Sequence, residues 1–411
     1  MDIEVKFDNR KFVLEDVLEF PARYVRSLEI ARTTPGWAEC QCQGQAMTPA
    51  LRLVIRRYGQ MYHLAGWPED GHRHHIDCRF RKDASSAIAS VAPISAAIRM
   101  TAAGMNVRLD AALNPVAGQP APRNEPAGPR STQQSRRSAS LLAFAQALWV
   151  EAKLNAWGSR DKNRNWGACC TALQDAVGEG PINGEPAERV LHVMRRFEKD
   201  HAKAIDTELT SFLEALKRPD GSSRRALILG EIAEVAPSKF GHAITLRQNV
   251  RKYFVHNRLI DQVGRSHRFA WSAIGNGQAR VVAILLVEYR KGYATVVDLA
   301  AMLCSSRFIP CDSMLEVQMA NRLTREERRF EKPLSANADD IMPDFVLRDT
   351  AELVEIEVYG LNGQADYEKR KREKQVIRAR RGVSCVEWNT DREPLSAVQF
   401  PPPAGLRGNP K

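Results

Sequence analysis

The sequence predicts a multi-domain α/β protein, and three observations lead to this class. The chain has 411 residues, enough for two or three domains at about 150 residues each. Apolar residues recur at helical spacing through residues 141–217, whereas later apolar runs such as 281–289 have the length of a strand. Between residues 113 and 140, five prolines stand among Gly, Ser, Gln and Arg. Such a composition cannot bury enough apolar surface to order itself, so it predicts a linker behind a separate N-terminal module.

Charge and composition restrict the classes of partner and compartment. Hydrophobic residues make up 44% of the chain and charged residues 27%, as in an ordinary globular protein. The net charge of +11 favours a polyanionic partner such as DNA, although many moderately basic proteins bind no anion specifically. No apolar run approaches the roughly 18 residues that span a bilayer, and the acidic N-terminus lacks a signal-peptide core. We therefore expect a cytoplasmic protein with no membrane partner.

The expected organisation has five parts. They are a zinc-binding module (1–82), an Ala/Ser- and Pro-rich spacer and linker (83–140, with 83–104 read as helical), a helical and mixed middle region (141–300), an α/β core (301–395) and a disordered tail (396–411).

The middle and final parts contain separate helix and strand signals. Apolar spacing predicts helix through 188–216, and the turn Lys291-Gly292 follows a strand at 281–289. The other predicted elements are strands at 226–234, 243–246, 341–347, 353–358 and 384–388 and helices at 315–323 and 367–381.

Cysteines and histidines in the N-terminal part have the composition of a zinc site. Cys40 and Cys42 form a CxC pair, and Cys78 follows a histidine run more than thirty residues later. Three thiolates and one imidazole make a closed tetrahedral set, which suits structural Zn²⁺. His74 is the preferred fourth ligand and His75 the second choice. The alternative is three unpaired thiols beside an exposed histidine run.

The other five cysteines stand in apolar contexts and predict core packing rather than metal binding. They are Cys169, Cys170, Cys304, Cys311 and Cys385.

Carboxylates in the last third have the spacing of a hard-cation site. Asp344 lies at one predicted strand, and Glu355 and Glu357 share one face of the next strand. Carboxylates from adjacent strands can converge on Mg²⁺, which prefers oxygen ligands. Glu316, on the preceding predicted helix, supplies a third carboxylate. The alternative is a solvated strand face.

A basic helix follows these strands. Tyr367, Lys371 and Lys374 fall on one of its faces, from which a lysine could orient water or stabilise a phosphate. Lys371 is preferred over Lys374 because it lies one turn closer to the carboxylate strand. The remaining basic positions predict a strip of DNA phosphate contacts, for which the candidates are Arg370, Arg372, Arg378 and Arg380.

Residues 313–389 resemble the core of the PD-(D/E)xK, restriction-endonuclease-like nucleases, in particular the very-short-patch-repair-like branch. The order of helix Glu, Asp-Phe strand, Glu strand, basic helix and strand carries this resemblance. It implies that Glu316 assists and that Asp344 and Glu357 bind a catalytic Mg²⁺. The family lysine would fall on Tyr359, so the resemblance implies that Lys371 or Lys374 takes its place.

Nearly the whole chain also resembles an uncharacterised bacterial domain family with three N-terminal cysteines, frequent on conjugative plasmids and integrative elements. The matching stretches include the cysteine motif, Phe330-Glu331-Lys332-Pro333-Leu334 and Glu357-Val358-Tyr359-Gly360. The predicted function is thus Mg²⁺-dependent cleavage or processing of DNA in a mobile element. The alternatives are an inactive nuclease-fold DNA-binding protein and a scaffold of a conjugation apparatus.

Overall fold

The computed structural model describes residues 3–44, 50–59, 61–67, 70–75, 78–81, 97–101, 104–114, 138–158, 161–162, 164–334, 342–360 and 365–404, with 365–370 described in backbone only. Within these residues the protein is a mixed α/β structure with four sheets, as the α/β prediction requires. The predicted linker falls mostly on 115–137, outside the described residues.

The first sheet is built from the N-terminal part of the chain. Its strands are antiparallel and lie in the order β2-β1-β3-β4-β5. Leu28 and Leu53, both fully buried, belong to a separate apolar cluster between this sheet and its helices. The elements are β1 (Glu4–Phe7), β2 (Arg10–Val13), α1 (Leu14–Glu19), α2 (Val25–Thr33), β3 (Trp37–Cys40), β4 (Leu51–Tyr58) and β5 (Met61–Gly66).

The next described segment corrects the predicted helical spacer. Here β6 (Ile98–Thr101) pairs antiparallel with β7 (Gly104–Val107), rather than forming the end of a helix. Residues 82–96 of the predicted spacer lie outside the described part.

Helices of the middle region pack behind the sheets. Ser140 caps the first helix by accepting a hydrogen bond from the amide of Ala143. The predicted helix over 188–216 is wrong in its first half, because Leu191–Val193 pairs as a strand with a later one. The elements are α3 (Leu141–Glu151), β8 (Ala156–Trp157), α4 (Trp166–Val177), β9 (Pro181–Ile182), β10 (Glu185–Pro186), α5 (Ala187–Val190), β11 (Leu191–Val193) and α6 (Ala202–Glu214).

Five strands of the middle region close into a barrel. Its strand order is β12-β13-β14-β16-β15, and β15 pairs back onto β12. The pair β14–β16 is parallel and the other pairs are antiparallel. The elements are β12 (Arg225–Ser238), β13 (Gly241–Leu246), β14 (Lys252–Val255), α7 (Asn257–Ser266), α8 (Arg268–Ser272), β15 (Ala279–Arg290) and β16 (Tyr293–Ser305).

The last sheet has the order β20-β19-β18-β17-β8, with only β19–β20 parallel among its pairs. The predicted strand at 341–347 is shorter than expected, because Asp344 lies just before β18 and Ile341 is outside the described residues. The elements are α9 (Met314–Arg325), β17 (Phe330–Glu331), β18 (Phe345–Leu347), β19 (Val354–Tyr359), α10 (Ala365–Arg381) and β20 (Ser384–Asn389).

Two expected boundaries differ from the structure. The boundary at residue 300 falls inside β16, and residues on both sides of it share one apolar core. The expected disordered tail is packed as far as Ala404, because Val398 is buried and Arg322 donates to its carbonyl at 2.8 Å. Residues 405–411 lie outside the described part.

Candidate functional site

Four side chains predicted as zinc ligands converge in the N-terminal part. One ligand atom from each of Cys40, Cys42, His74 and Cys78 lies within 4.8 Å of the other three. The Nδ1 atom of His74 is 3.4 Å from the Sγ of Cys42 and 3.4 Å from the Sγ of Cys78. All four side chains are buried, so the predicted set and the choice of His74 over His75 agree with the geometry.

Local structure brings these ligands together from two segments. Cys40 ends β3, so the CxC pair lies at the C-terminal end of the central strand of the first sheet, and the other two ligands follow β5. Arg81 donates to the carbonyl of His74 at 2.8 Å, and Gln43 donates to that of Arg73 at 2.8 Å. The bond from Arg81 braces the second segment internally, and the bond from Gln43 holds it against the first.

The chemistry of this donor set suits a dication. Hydrogen bonds from Cys40 and Cys78 lower the pKa of Cys42, while the hydrogen bond to Cys42 raises the pKa of Cys40. Three thiolates packed this closely would repel one another, so they require a compensating metal charge. The amide of His75 also donates to the Sγ of Cys42 at 3.3 Å. The cluster can hold one Zn²⁺ with no open coordination position.

A second cluster of charges lies at the last sheet and begins with a buried lysine. Lys332 follows β17, and its Nζ lies 2.6 Å from Glu316 Oε2 and 2.8 Å from Asp312 Oδ2. Burial lowers the pKa of Lys332, but Asp312 and Glu316 raise it more, so it stands well above its usual range. Burial raises the pKa of Glu316 to about 8. Lys332 lowers the pKa of the exposed Asp312, so the ammonium pairs with Asp312 and the proton stays on Glu316.

Glu357 is the second buried acid of this cluster. Its Oε2 lies 2.8 Å from the Nζ of Lys374, and its Oε1 lies 3.2 Å from a guanidinium nitrogen of Arg378. Burial, and then the charge of Asp344, raises the pKa of Glu357 to about 7. The strand offers no solvated face, because every residue of β19 is buried, Glu355 included. The reading of Glu355 and Glu357 as a solvated strand face is therefore wrong.

Asp344 stands between these two acids. The antiparallel register Phe345↔Ile356 continues to place Asp344 opposite Glu357, and its Oδ2 accepts from the amide of Val358 at 2.7 Å. Its charge raises the pKa of both Glu316 and Glu357. Asp344 therefore lies near both Glu316 and Glu357.

A glycine allows the helix to approach the strand at this point. A Cβ on Gly360 would meet the Cδ1 methyl of Leu315, the residue before Glu316 on α9, so the Leu315 side chain would have to shift to admit it. Glycine directly after β19 thus lets Leu315 pack against the backbone.

The geometry of the acids differs from that of a preformed Mg²⁺ site. Among the described residues, the cysteine–histidine cluster is the only group of three or more metal-ligating side chains with donor atoms within 4.8 Å of one another. Carboxylate oxygens suit Mg²⁺, but each oxygen of Glu357 already meets a cation. Glu316 and Glu357 therefore contact cationic side chains, and Asp344 accepts from a backbone amide.

Some basic side chains of α10 contact this cluster, and others are exposed to solvent. Lys374 reaches Glu357, whereas the Nζ of Lys371 lies 4.1 Å from the ring centroid of Tyr359, contrary to the preference for Lys371. Arg378 is buried and contacts Glu357, Glu387 and the hydroxyl of Tyr359, so it is not a surface phosphate contact. Arg372 and Arg380 are exposed. The side chain of Arg370 lies outside the described residues.

Two members of the cluster were not predicted from the sequence. Lys332 stands beside Glu331 and Pro333, in a stretch whose charge and proline give no signal that its side chain is buried. Asp312 lies two residues before α9 and gives no signal either. Cys169, Cys170, Cys304 and Cys311 are buried as predicted, while Cys385 is half-buried and contacts Arg378 at 2.8 Å.

The chain belongs to the DUF1173 protein family of unknown function, whose family model matches residues 21–391. This match confirms the resemblance to an uncharacterised domain family. No curated protein and no solved structure matches the chain. Among the described residues, no helix has the length and apolar character needed to cross a membrane.

Proposed function

We propose that the protein cleaves DNA phosphodiester bonds in a Mg²⁺-dependent reaction at the cluster of Glu316, Asp344, Glu357 and Lys374. The observation that carries the proposal is the 2.8 Å contact between Lys374 and Glu357, opposite Asp344. It supplies from α10 the lysine that the nuclease resemblance requires and that Tyr359 cannot provide. The order α9–β17–β18–β19–α10–β20 also supports the resemblance to a PD-(D/E)xK core.

The side chains have distinct roles under this proposal. Asp344 and Glu357 would bind Mg²⁺, which polarises a phosphoryl oxygen and lowers the pKa of bound water. Lys374 lies where an ammonium can stabilise charge on the phosphate. Lys332 neutralises the acids around Glu316 and keeps that side of the site from repelling a polyanion.

A second candidate is a nuclease-fold protein that binds DNA without cutting it. The contacts of Lys374 and Arg378 with the two oxygens of Glu357 favour this alternative, because Mg²⁺ must displace or share at least one of them. A context in mobile DNA, with conjugation proteins as further partners, is part of either candidate.

The two candidates are separated by nicking of plasmid and of single-stranded DNA with Mg²⁺ or Mn²⁺. We expect Asp344→Asn and Lys374→Ala to reduce cleavage about 10²–10³-fold, the usual loss when a group that stabilises the transition state is removed. Lys371→Ala, on the same helix but stacked on Tyr359, is the matched control and should retain activity within a few-fold. A wild-type protein that binds DNA but cuts neither substrate would be the inactive binder. Equal losses for both lysines would refute the role of Lys374.

A further inference from the structure

One surface of the barrel combines exposed aromatic rings with lysines. We call it the loop face and define it by Lys239, Phe240, Lys252, Phe254, Lys291 and Tyr293. Phe240 is 83% exposed at the turn between β12 and β13, and Tyr293 is 45% exposed at the start of β16. Exposed rings of this size leave apolar area in water and mark a binding surface when they occur together.

The strand register places these residues on one side of the barrel. Tyr253 and Val255 of β14 are buried inside, so Lys252 and Phe254 point outward. Tyr253 pairs with Ala294, which brings Tyr293 beside Lys252. The rings of Phe254 and Tyr293 meet edge to face at 5.9 Å.

The two turns lie at opposite ends of this outward strip. The β12–β13 turn, with Lys239 and Phe240, extends beyond the pair His242↔Val255. The β15–β16 turn, with Lys291, precedes Tyr293 at the other end. A ligand strand that follows this strip therefore meets Lys239 and Phe240 at one end and Lys291 and Tyr293 at the other. Lys252 and Phe254 lie between them.

Charge on this part of the protein is strongly positive. Residues 239–291 contain ten Lys and Arg but two Asp and Glu, a net charge of +8 out of +11 for the whole chain. Within the described residues, no ion pair involves Lys239, Lys252 or Lys291. Two acids border the face, Glu234 and Glu288, and Glu288 is ion-paired to Arg225 and Arg290 at 2.8 and 3.0 Å.

We propose that the loop face binds single-stranded nucleic acid. Unpaired bases can stack on Phe240, Phe254 and Tyr293 while the lysines contact phosphates, a combination typical of single-strand binding. In a duplex the base faces are stacked on one another, so a duplex could bind only through its phosphates and the lysines. Five-stranded Greek-key barrels of the OB type bind oligonucleotides on the face of strands 2 and 3 and on the loops 1–2 and 4–5, which correspond here to β13, β14 and the two turns.

The proposal does not rest on cleavage at the last sheet. It concerns a different surface and assigns a binding role to the region between residues 225 and 305. A wild-type protein that nicks DNA but binds no oligonucleotide would refute only this inference, and one that binds oligonucleotides through the loop face but never nicks DNA would refute only the proposed function.

Fluorescence anisotropy with 15-nucleotide oligo(dT) and oligo(U), without added Mg²⁺, tests the loop face in the full chain. We expect Phe240→Ala and Tyr293→Ala each to weaken binding about tenfold and Phe240→Trp to preserve it, because stacking requires a π face. The double variant Lys252→Glu, Lys291→Glu should lower affinity and reduce the salt slope by about 0.7 per lost phosphate contact. The relative affinities for oligo(dT) and oligo(U) identify DNA or RNA as the ligand.

Matched controls separate recognition from general effects. Phe197→Ala removes an aromatic ring that is 59% exposed elsewhere, and Arg26→Glu reverses an exposed charge on α2; both should bind as the wild type does. Thermal unfolding establishes that each variant is folded. Equal binding of duplex and single strand together with no effect of the aromatic variants would refute the proposal, as would the absence of oligonucleotide binding.

Discussion

Lys332 and its two carboxylates show how individual residues share charge at the last sheet. Asp312 is exposed and Lys332 lowers its pKa, whereas burial raises the pKa of Glu316 to about 8, so Asp312 ionises and Glu316 keeps its proton. Glu357 lies under the same constraint, since Asp344 raises its pKa while Lys374 and Arg378 lower it. The cluster is therefore sensitive to pH near neutrality.

We predict that Glu316→Gln changes the pH dependence of stability. The pKa of Glu316 is raised from 4.5 to about 8, so the native state holds a proton that the unfolded chain releases. Stability falls as pH rises through this window, by up to about 1.4 kcal/mol per pH unit for this one group, and is constant outside it. The variant lacks this decline, so its stability relative to the wild type should increase from pH 5 to pH 8.

Urea unfolding at four pH values over that range measures the difference. The exposed Glu326, just beyond α9, provides the control variant Glu326→Gln, which should follow the wild-type profile. Parallel profiles for wild type and Glu316→Gln would contradict the assignment of the proton to Glu316.

Arg378 and Arg380 provide a second test at the residue scale. Arg378→Met should destabilise the protein by about 3–5 kcal/mol, because buried Glu357 loses one of its two cations. Arg380→Ala, at an exposed position two residues away, should change the free energy of unfolding by less than about 0.5 kcal/mol. If Arg378→Met is as stable as the wild type but binds DNA more weakly, Arg378 acts as a phosphate contact, as the sequence predicts.

The sequence identifies the acids of the cluster better than its cations. Strand alternation and chain order bring Asp344, Glu357 and Glu316 together without any long-range information. Lys371 and Lys374 share one helical face, so periodicity alone cannot decide which of them reaches the strand. That choice depends on where α10 begins and how it crosses the sheet, which are properties of tertiary packing.

At the scale of elements, the four predicted zinc ligands join the CxC segment at the end of β3 to the segment after β5. The protein purified without added zinc should contain about one equivalent of Zn²⁺ per chain. Cys42→Ser and His74→Ala should lose the metal together with N-terminal stability, because binding of a structural metal contributes to folding. His75→Ala should retain the metal, since His75 contacts Cys42 through its backbone amide.

Metal analysis and limited proteolysis, with and without a chelator, measure these effects. A wild-type chain that is free of metal and equally resistant to protease in both conditions would contradict the zinc assignment. Loss of metal in His75→Ala with retention in His74→Ala would show that His75, and not His74, is the zinc ligand.

The sequence could not predict that β19 is buried on both faces or that the barrel closes, because both depend on contacts between distant parts of the chain. Alternating carboxylates predict a half-solvated strand, but parallel pairing with β20 and the cover of α9 and α10 bury Glu355 and Glu357. The barrel closes through the pairing of β12 with β15, more than fifty residues apart. Local patterns identified the strands at 226–234 and 281–289, whereas their partners are set by non-local contacts.

At the scale of the whole molecule, positive charge and acidic chemistry are separated along the chain. Residues 239–291 carry a net charge of +8, while the last sheet holds buried acids beside Lys332, Lys374 and Arg378. A polyanion would thus be attracted to the barrel first, and electrostatic steering of this kind raises association rates at low salt. The arrangement suits a protein that holds nucleic acid on one surface and acts on it at another.

The last sheet cannot be separated from the rest of the chain, although the sequence predicts a core at 301–395. The short strand β8 forms its edge, where Trp157 pairs with Phe330 and Asn155 exchanges two hydrogen bonds of 2.8 and 2.9 Å with the backbone of Lys332. The fully buried Trp149 donates to the carbonyl of Phe308 at 3.0 Å.

We therefore predict that the fragment 301–411 does not fold on its own. Without α3 and β8 it exposes the fully buried ring of Phe330 and leaves Lys332 without its backbone partners, so it should show no cooperative thermal transition. In the full chain, Asn155→Ala should cost about 1–3 kcal/mol, because it removes the side-chain amide that donates to the carbonyl of Lys332 and leaves that carbonyl unpaired. Circular dichroism on heating tests the fragment, and urea unfolding tests the variant against wild type. A sharp transition in the fragment, with no loss of stability for Asn155→Ala, would establish the last sheet as an independent domain.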